Sequence, residues 1–240
     1  IPTAAYSESE STTVTHGFFI EKWDDGDRYV LIKHTYDDKS EWLVLDVQDP
    51  QLTKNITRLF DFAITNIQFA GTSGNVFYAL GNGDVRKIDV SAGTISRPLI
   101  SNVSSFSIFE SKVICFVATE SNAKVYTVGL YRDGDDTSYV VKTIEKTDEA
   151  QINAAVSNYF NEYYVAIASG TNVEVLSGSF PSSTNETGLK NYVSFSTSQT
   201  VKNLSFSPSG QYVFARSGAS FTSYDLEYKP LFSFIIDGNS

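Results

Sequence analysis

The chain has 240 residues, 41% hydrophobic and 14% aromatic but only 19% charged, so it carries ample material for a core. Two His, one Cys, no Met and a formal net charge of −10 fit poorly with a His-rich metal centre, a disulfide scaffold or a basic nucleic-acid binder. The length suits one large all-β domain or two small ones.

The first segment, Ile1 to Thr15, is rich in Ser, Thr and Glu and has no apolar run. It reads as a lead-in to the fold, and a start without Met reads as a cut-out piece or a mature form. No stretch reaches the ~18 consecutive apolar residues of a membrane span, and the N-terminus lacks the basic-then-apolar order of a signal peptide. Any anchor or export signal is therefore expected outside these residues.

From residue 16 a pattern recurs every forty residues or so, and a period of that size specifies a repeat architecture. Gly17-Phe18-Phe19-Ile20 leads through Asp24-Asp25-Gly26-Asp27 into Tyr29-Val30-Leu31-Ile32. The second copy runs Ile67-Gln68-Phe69, Gly71 to Asn75, Val76 to Leu80. The third runs Phe106 to Phe109, Glu110 to Lys112, Val113 to Ala118. The fourth runs Asn153 to Val156, Ser157 to Glu162, Tyr163 to Ile167, and the fifth Leu204-Ser205-Phe206, Ser207 to Gln211, Tyr212 to Ala215.

Each copy continues with a polar turn, a third strand, another turn and a fourth strand. In the second copy these are Gly81-Asn82-Gly83, Val85 to Val90, Ser91-Ala92-Gly93 and Thr94 to Ile100, and such turns supply the positive φ that a tight hairpin needs. In the fifth, Pro230 precedes a last strand, Leu231 to Ile236, where its missing N–H does least harm. The second strand of every copy is a nearly unbroken apolar run, the mark of a strand buried on both faces. Four-stranded sheets in series, covered on both faces, predict an all-β fold, a β-propeller of four-stranded antiparallel blades. A two-sheet sandwich is the competing architecture and would leave one face of most strands polar. Blade limits fall near 16–61, 62–101, 102–148, 149–200 and 201–240. Five units leave two arrangements open, a ring closed at five or part of a larger one. Lys146 to Val156 is the one helix candidate, with a loop running into the next inner strand as its alternative.

Ser207-Pro208-Ser209-Gly210-Gln211-Tyr212-Val213-Phe214 resembles the Ser-Pro-Asp-Gly inner hairpin of WD40-like and translocation-type propellers, and Asp25 to Val30 is a looser version. No Trp-Asp dipeptide ends a third strand, so eukaryotic-type WD40 repeats are not indicated. Over the whole chain the sequence is also similar to the propeller region that follows PEGA repeats in envelope proteins of Saccharibacteria-type bacteria, although the PEGA repeat itself is absent. That resemblance implies an extracytoplasmic domain tethered by an upstream membrane segment.

Neither His16 nor His34 has a sequence neighbourhood that offers a Ser/Asp partnership, so no catalytic residue is assigned. Cys115, inside Val113 to Val117, reads as a small buried apolar residue. Asp24-Asp25-Gly26-Asp27 and Asp133-Gly134-Asp135-Asp136 invite a calcium reading, but the twelfth positions are Thr35 and Ile144 instead of Glu, which excludes an EF-hand. Asp-Gly turn chemistry is the better explanation of both clusters, with a looser calcium site as its alternative, and no metal or cofactor is assigned. In an antiparallel blade the turns after strands one and three share one face. That face would carry Trp23, Asp24, Asp25, Asp27, Asp133, Asp135, Tyr159 and Phe160, the candidate binding residues. The expected function is a non-enzymatic binding or scaffold module for a protein or a cell-surface glycan. A carbohydrate-binding or glycan-cleaving propeller and a domain packing on an upstream membrane-anchored region are the alternatives. An acidic surface argues against nucleic acid and anionic membranes.

Overall fold

A computed structural model describes residues 1–2, 5–7, 15–60, 62–71, 74–110, 112–119, 124–146, 151–182 and 188–236. They form five four-stranded antiparallel sheets, each in strict sequence order, the blade architecture of a β-propeller. Blade 1 is β1 (Gly17–Trp23), β2 (Tyr29–Tyr36), β3 (Lys39–Asp46) and β4 (Lys54–Asn55); blade 2 is β5 (Asn66–Phe69), β6 (Val76–Gly81), β7 (Asp84–Asp89) and β8 (Thr94–Ile95). Blade 3 is β9 (Val103–Phe109), β10 (Val113–Ala118), β11 (Val125–Arg132) and β12 (Tyr139–Glu145). Blade 4 is β13 (Ile152–Tyr159), β14 (Glu162–Ser169), β15 (Asn172–Gly178) and β16 (Leu189–Ser196), and blade 5 is β17 (Asn203–Phe206), β18 (Tyr212–Ser217), β19 (Ser220–Asp225) and β20 (Leu231–Ile235). Residues 1–101, with blades 1 and 2, form one compact unit and residues 102–240, with blades 3 to 5, a second.

The expected fourth strand of blade 2 and the helix candidate both change. The fourth strand of blade 2 is only Thr94–Ile95, with a single bridge from Val85 to Ile100, because Pro98 has no N–H to extend the ladder. The helix candidate resolves into strand from Ile152 onward, and its residues 147–150 lie outside the described ones.

Blades pack face to face. Val113, Cys115, Val117, Val128 and Leu130 of blade 3 share a core with Ile152, Val156, Val165 and Ile167 of blade 4. The opposite face of blade 4, with Ala155, Tyr164, Ala166, Ala168 and Val175, packs on Leu204, Val213, Ala215 and Tyr224 of blade 5. In the first unit Leu31, Trp42 and Val44 pack on Ile67, Phe69 and Phe77. Cys115 lies inside the blade 3 core, where burial pushes its thiol up to about 12. Blade 5 departs from the expectation of two buried faces. In β18 only Val213, Ala215 and Ser217 are buried, all of β20 is exposed, and Tyr212, Phe214 and Phe221 are only partly buried.

A recurring polar device sets the turn geometry. In blade 1 Asp24 accepts the N–H groups of Arg28 and Tyr29 at 2.8 and 2.7 Å, while Arg28 pairs with Asp46 at the end of β3. Blade 5 repeats it with Ser207 accepting the Tyr212 N–H and Gln211 donating to Asp225 at the end of β19. In both blades, and in blade 2, the residue after the third-strand aspartate donates its N–H to the carbonyl of the residue just before β2, β6 or β18. Asp27 and Gly210 occupy the same turn position at φ 53° and 78°, which is why glycine or an aspartate is found there.

Candidate functional site

The second unit brings a set of loop tips together. The β13–β14 hairpin turns through Phe160 and Asn161 at φ 49° and 62°, a two-residue turn of the type that favours Asn-Gly. Phe160 is 77% exposed in spite of this strained backbone, and its ring lies 4.5 Å from that of Tyr159. The Tyr159 hydroxyl donates to Oε2 of Glu227, in the turn after β19, at 2.6 Å. That hydrogen bond to the carboxylate, with a smaller contribution from burial, pushes the Tyr159 phenol up to about 12. Tyr228, 74% exposed, follows directly, and the Glu227 charge raises its phenol as well.

Asp225 anchors this turn from below. It is buried and accepts the N–H groups of Glu227 and Tyr228 at 2.8 and 3.1 Å and the Gln211 side chain at 3.2 Å. Burial alone would raise its carboxyl, but the donors outweigh it and hold the group below the usual carboxylate range. The result is a rigid turn that presents one carboxylate and two aromatic rings beside Phe160. Blade 4's first turn and blade 5's third turn thus lie on one face within this unit.

The other candidate residues take separate positions. Asp133 and Asp135 belong to the turn after β11, where Asp135 accepts from the Arg132 guanidinium, itself 4.6 Å over the Phe180 ring. In the first unit Trp23 ends β1 at 45% exposure, Asp25 and Asp27 are exposed, and Asp24 is buried in its own turn. Among the described residues no group of three or more His, Cys, Asp or Glu converges on a point that could hold a metal ion.

Glu227 and Tyr228 were missed by sequence reasoning, although the rule that turns after strands one and three share a face applies to them too. A second cluster was missed because each histidine was weighed only against its chain neighbours. The pairing Gly17↔Thr35 and Phe18↔His34 sets His16 beside His34, whose Nδ1 is 2.9 Å from buried Glu41. The nearby Ser7 hydroxyl donates to Glu41 and not to an imidazole, so the order needed to activate a serine nucleophile is not formed.

No protein-family model matches the sequence, and no curated protein matches it. Solved structures do. Hsv2 of Kluyveromyces lactis is similar at a TM-score of 0.56 and 10% identity, over 92% of this chain and 64% of that one. Hydrazine synthase of Kuenenia stuttgartiensis is similar at 0.53 and 13%, over 85% and 63%. A protein of Lactobacillus plantarum is similar at 0.55 and 13%, over 89% and 69%. Blade order and these likenesses define a β-propeller. The chain spans a little under two thirds of the length of the first two.

Proposed function

We propose that this propeller is a non-enzymatic binding or scaffold module that engages a protein partner through the tips around Tyr159, Phe160, Glu227 and Tyr228. The observation that carries this reading is Phe160, a large apolar ring held out to solvent on a backbone that costs about 1–2 kcal/mol for a residue with a side chain. Strain of this kind, kept at an exposed tip, is better explained by contact than by packing. Ser7 donates its hydroxyl to Glu41, so this serine is not set up as a nucleophile against His34. One similar structure is named as a hydrazine synthase, so the fold is compatible with enzymes and non-enzymes alike, and the reading rests on the residues.

The proposal extends to location: a module outside the cytoplasm, tethered by an upstream membrane segment, as the resemblance drawn from the sequence implies. The described residues include no helix long and apolar enough to cross a membrane. The test is selection of a phage-displayed random peptide library on the purified chain, run beside a glycan array. Peptides whose binding falls at least about tenfold, a loss of about 1.4 kcal/mol, in both Phe160→Asn and Tyr228→Ser are expected. Selection of glycans in place of peptides, or peptides indifferent to both substitutions, would overturn the assignment. Protease shaving of intact source cells tests location, with loss of the propeller epitope expected and its full protection counting against an external site.

A further inference from the structure

The chain's two histidines meet in the first unit, Nδ1 of His16 at 2.8 Å from Nε2 of His34. Their rings are 5° from parallel with centroids 5.1 Å apart, the arrangement of two imidazoles lying edge to edge in one plane and joined by that bond. His34 is fully buried, and its Nδ1 faces Oε1 of Glu41 at 2.9 Å. Glu41 also accepts the Ser7 N–H at 2.6 Å, the Ser7 hydroxyl at 2.8 Å and the Asn55 amide at 2.8 Å. Burial alone would raise the Glu41 carboxyl, but these donors outweigh it and hold the group below its usual range. An ionised Glu41 requires a proton on Nδ1 of His34, which leaves Nε2 as an acceptor, and the Nδ1–H of His16 fills it.

Proton counting on this pair gives an asymmetry. One added proton enters at Nε2 of His16 and leaves the shared bond intact. A second has only Nε2 of His34 to occupy, and it would set two N–H donors against each other at the present 2.8 Å.

The same cluster fastens residues 5–7 to blade 1. Tyr6 packs edge-on to His16, His34 and Phe18 and lies against the buried Val30, Ile32 and Leu43, and Asn55 donates to the Ala5 carbonyl. We propose that the His16–His34 pair is an acid-sensitive latch: when both imidazoles are cationic, His16 separates from His34 and residues 5–7 detach from blade 1.

The groups around the pair set the direction. Glu41 of β3 stabilises the first positive charge. Arg58, which donates to the Ser7 hydroxyl at 3.2 Å, and Lys39, cross-strand from Tyr36, oppose the second. Tyr6 and Tyr36 flank the rings, and β1 adds Phe18.

Amide hydrogen exchange by NMR, corrected for intrinsic rates, tests the latch at about pH 7.5 and about pH 5, the range over which histidine changes charge. The Ser7 amide should lose protection about tenfold or more at the lower pH while the Val165 amide of β14 keeps its own. His16→Asn places a carboxamide, able to donate or accept, where Nδ1 lies, and should erase the step. Equal Ser7 protection at both pH values in the wild type, or an undiminished step in His16→Asn, would overturn the proposal.

Discussion

Replacing Phe160 with asparagine should stabilise the chain while weakening the proposed partner binding at least about tenfold. At φ 49° phenylalanine carries about 1–2 kcal/mol of backbone strain that asparagine, tolerant of this region and favoured in such hairpins, largely relieves. Against this stands the ring contact with Tyr159, at 4.5 Å and a 59° tilt, worth about 0.5–1 kcal/mol at a surface site. With 77% of the residue already in solvent, little further burial is lost. The net expectation is a gain of about 0.5–1 kcal/mol, or about 1–4 °C in midpoint for a chain of this size. Urea and thermal unfolding of wild type and variant measure it. A loss of more than about 1 kcal/mol would show that Phe160 is held by packing, and the argument for its display to a partner would go with it.

Asp225→Ala removes a buried acceptor from two backbone N–H groups and Gln211, and should cost about 2–3 kcal/mol in urea unfolding. Gly129→Ala should cost about 1–3 kcal/mol, since the added Cβ would lie 2.3 Å from the Phe116 ring; a second substitution, Phe116→Leu, should restore part of the loss. The folded Glu41 carboxyl sits below its unfolded value, so its contribution is complete above about pH 4.3 and disappears as pH falls through the lower folded value. Melting curves from about pH 5 to about pH 2 should therefore drop less steeply in Glu41→Gln than in wild type, and parallel slopes would contradict the hydrogen-bond account of that site.

Blade number and strand order were legible because turn chemistry is local. Ser207 to Gln211 names its own turn, with Gly210 at φ 78°, and the apolar second strands announce burial. The absence of a Trp-Asp dipeptide concealed a shared device, since Asp46, Asp89 and Asp225 all end third strands behind Leu45, Ile88 and Tyr224. The aspartate makes the hydrogen bonds of the turn, while the apolar residue before it packs inward, as Ile88 and Tyr224 do. Tyr159 and Phe160 could be read as candidates from position alone. Their link to Glu227 could not, because it spans 68 residues and depends on how two blades pack. His34 and Glu41 are cross-strand partners in a hairpin with the tight turn Asp37-Asp38, both at positive φ, so that pairing was within reach of the sequence. The docking of Ser7 was not, because no periodicity marks residues 5–7.

Each of the five sheets is built from four strands that follow one another along the chain. Tension applied between the two ends would meet no covalent link from one blade to a distant one, only side-chain contacts and the meander itself. Under load the protein should therefore lengthen in discrete steps. A released blade of about 45 residues would add roughly 150 Å of extended chain. One blade would be surrendered as slack while the remaining sheets keep their hydrogen-bonded order, a mechanical property written into the connectivity rather than into any single residue.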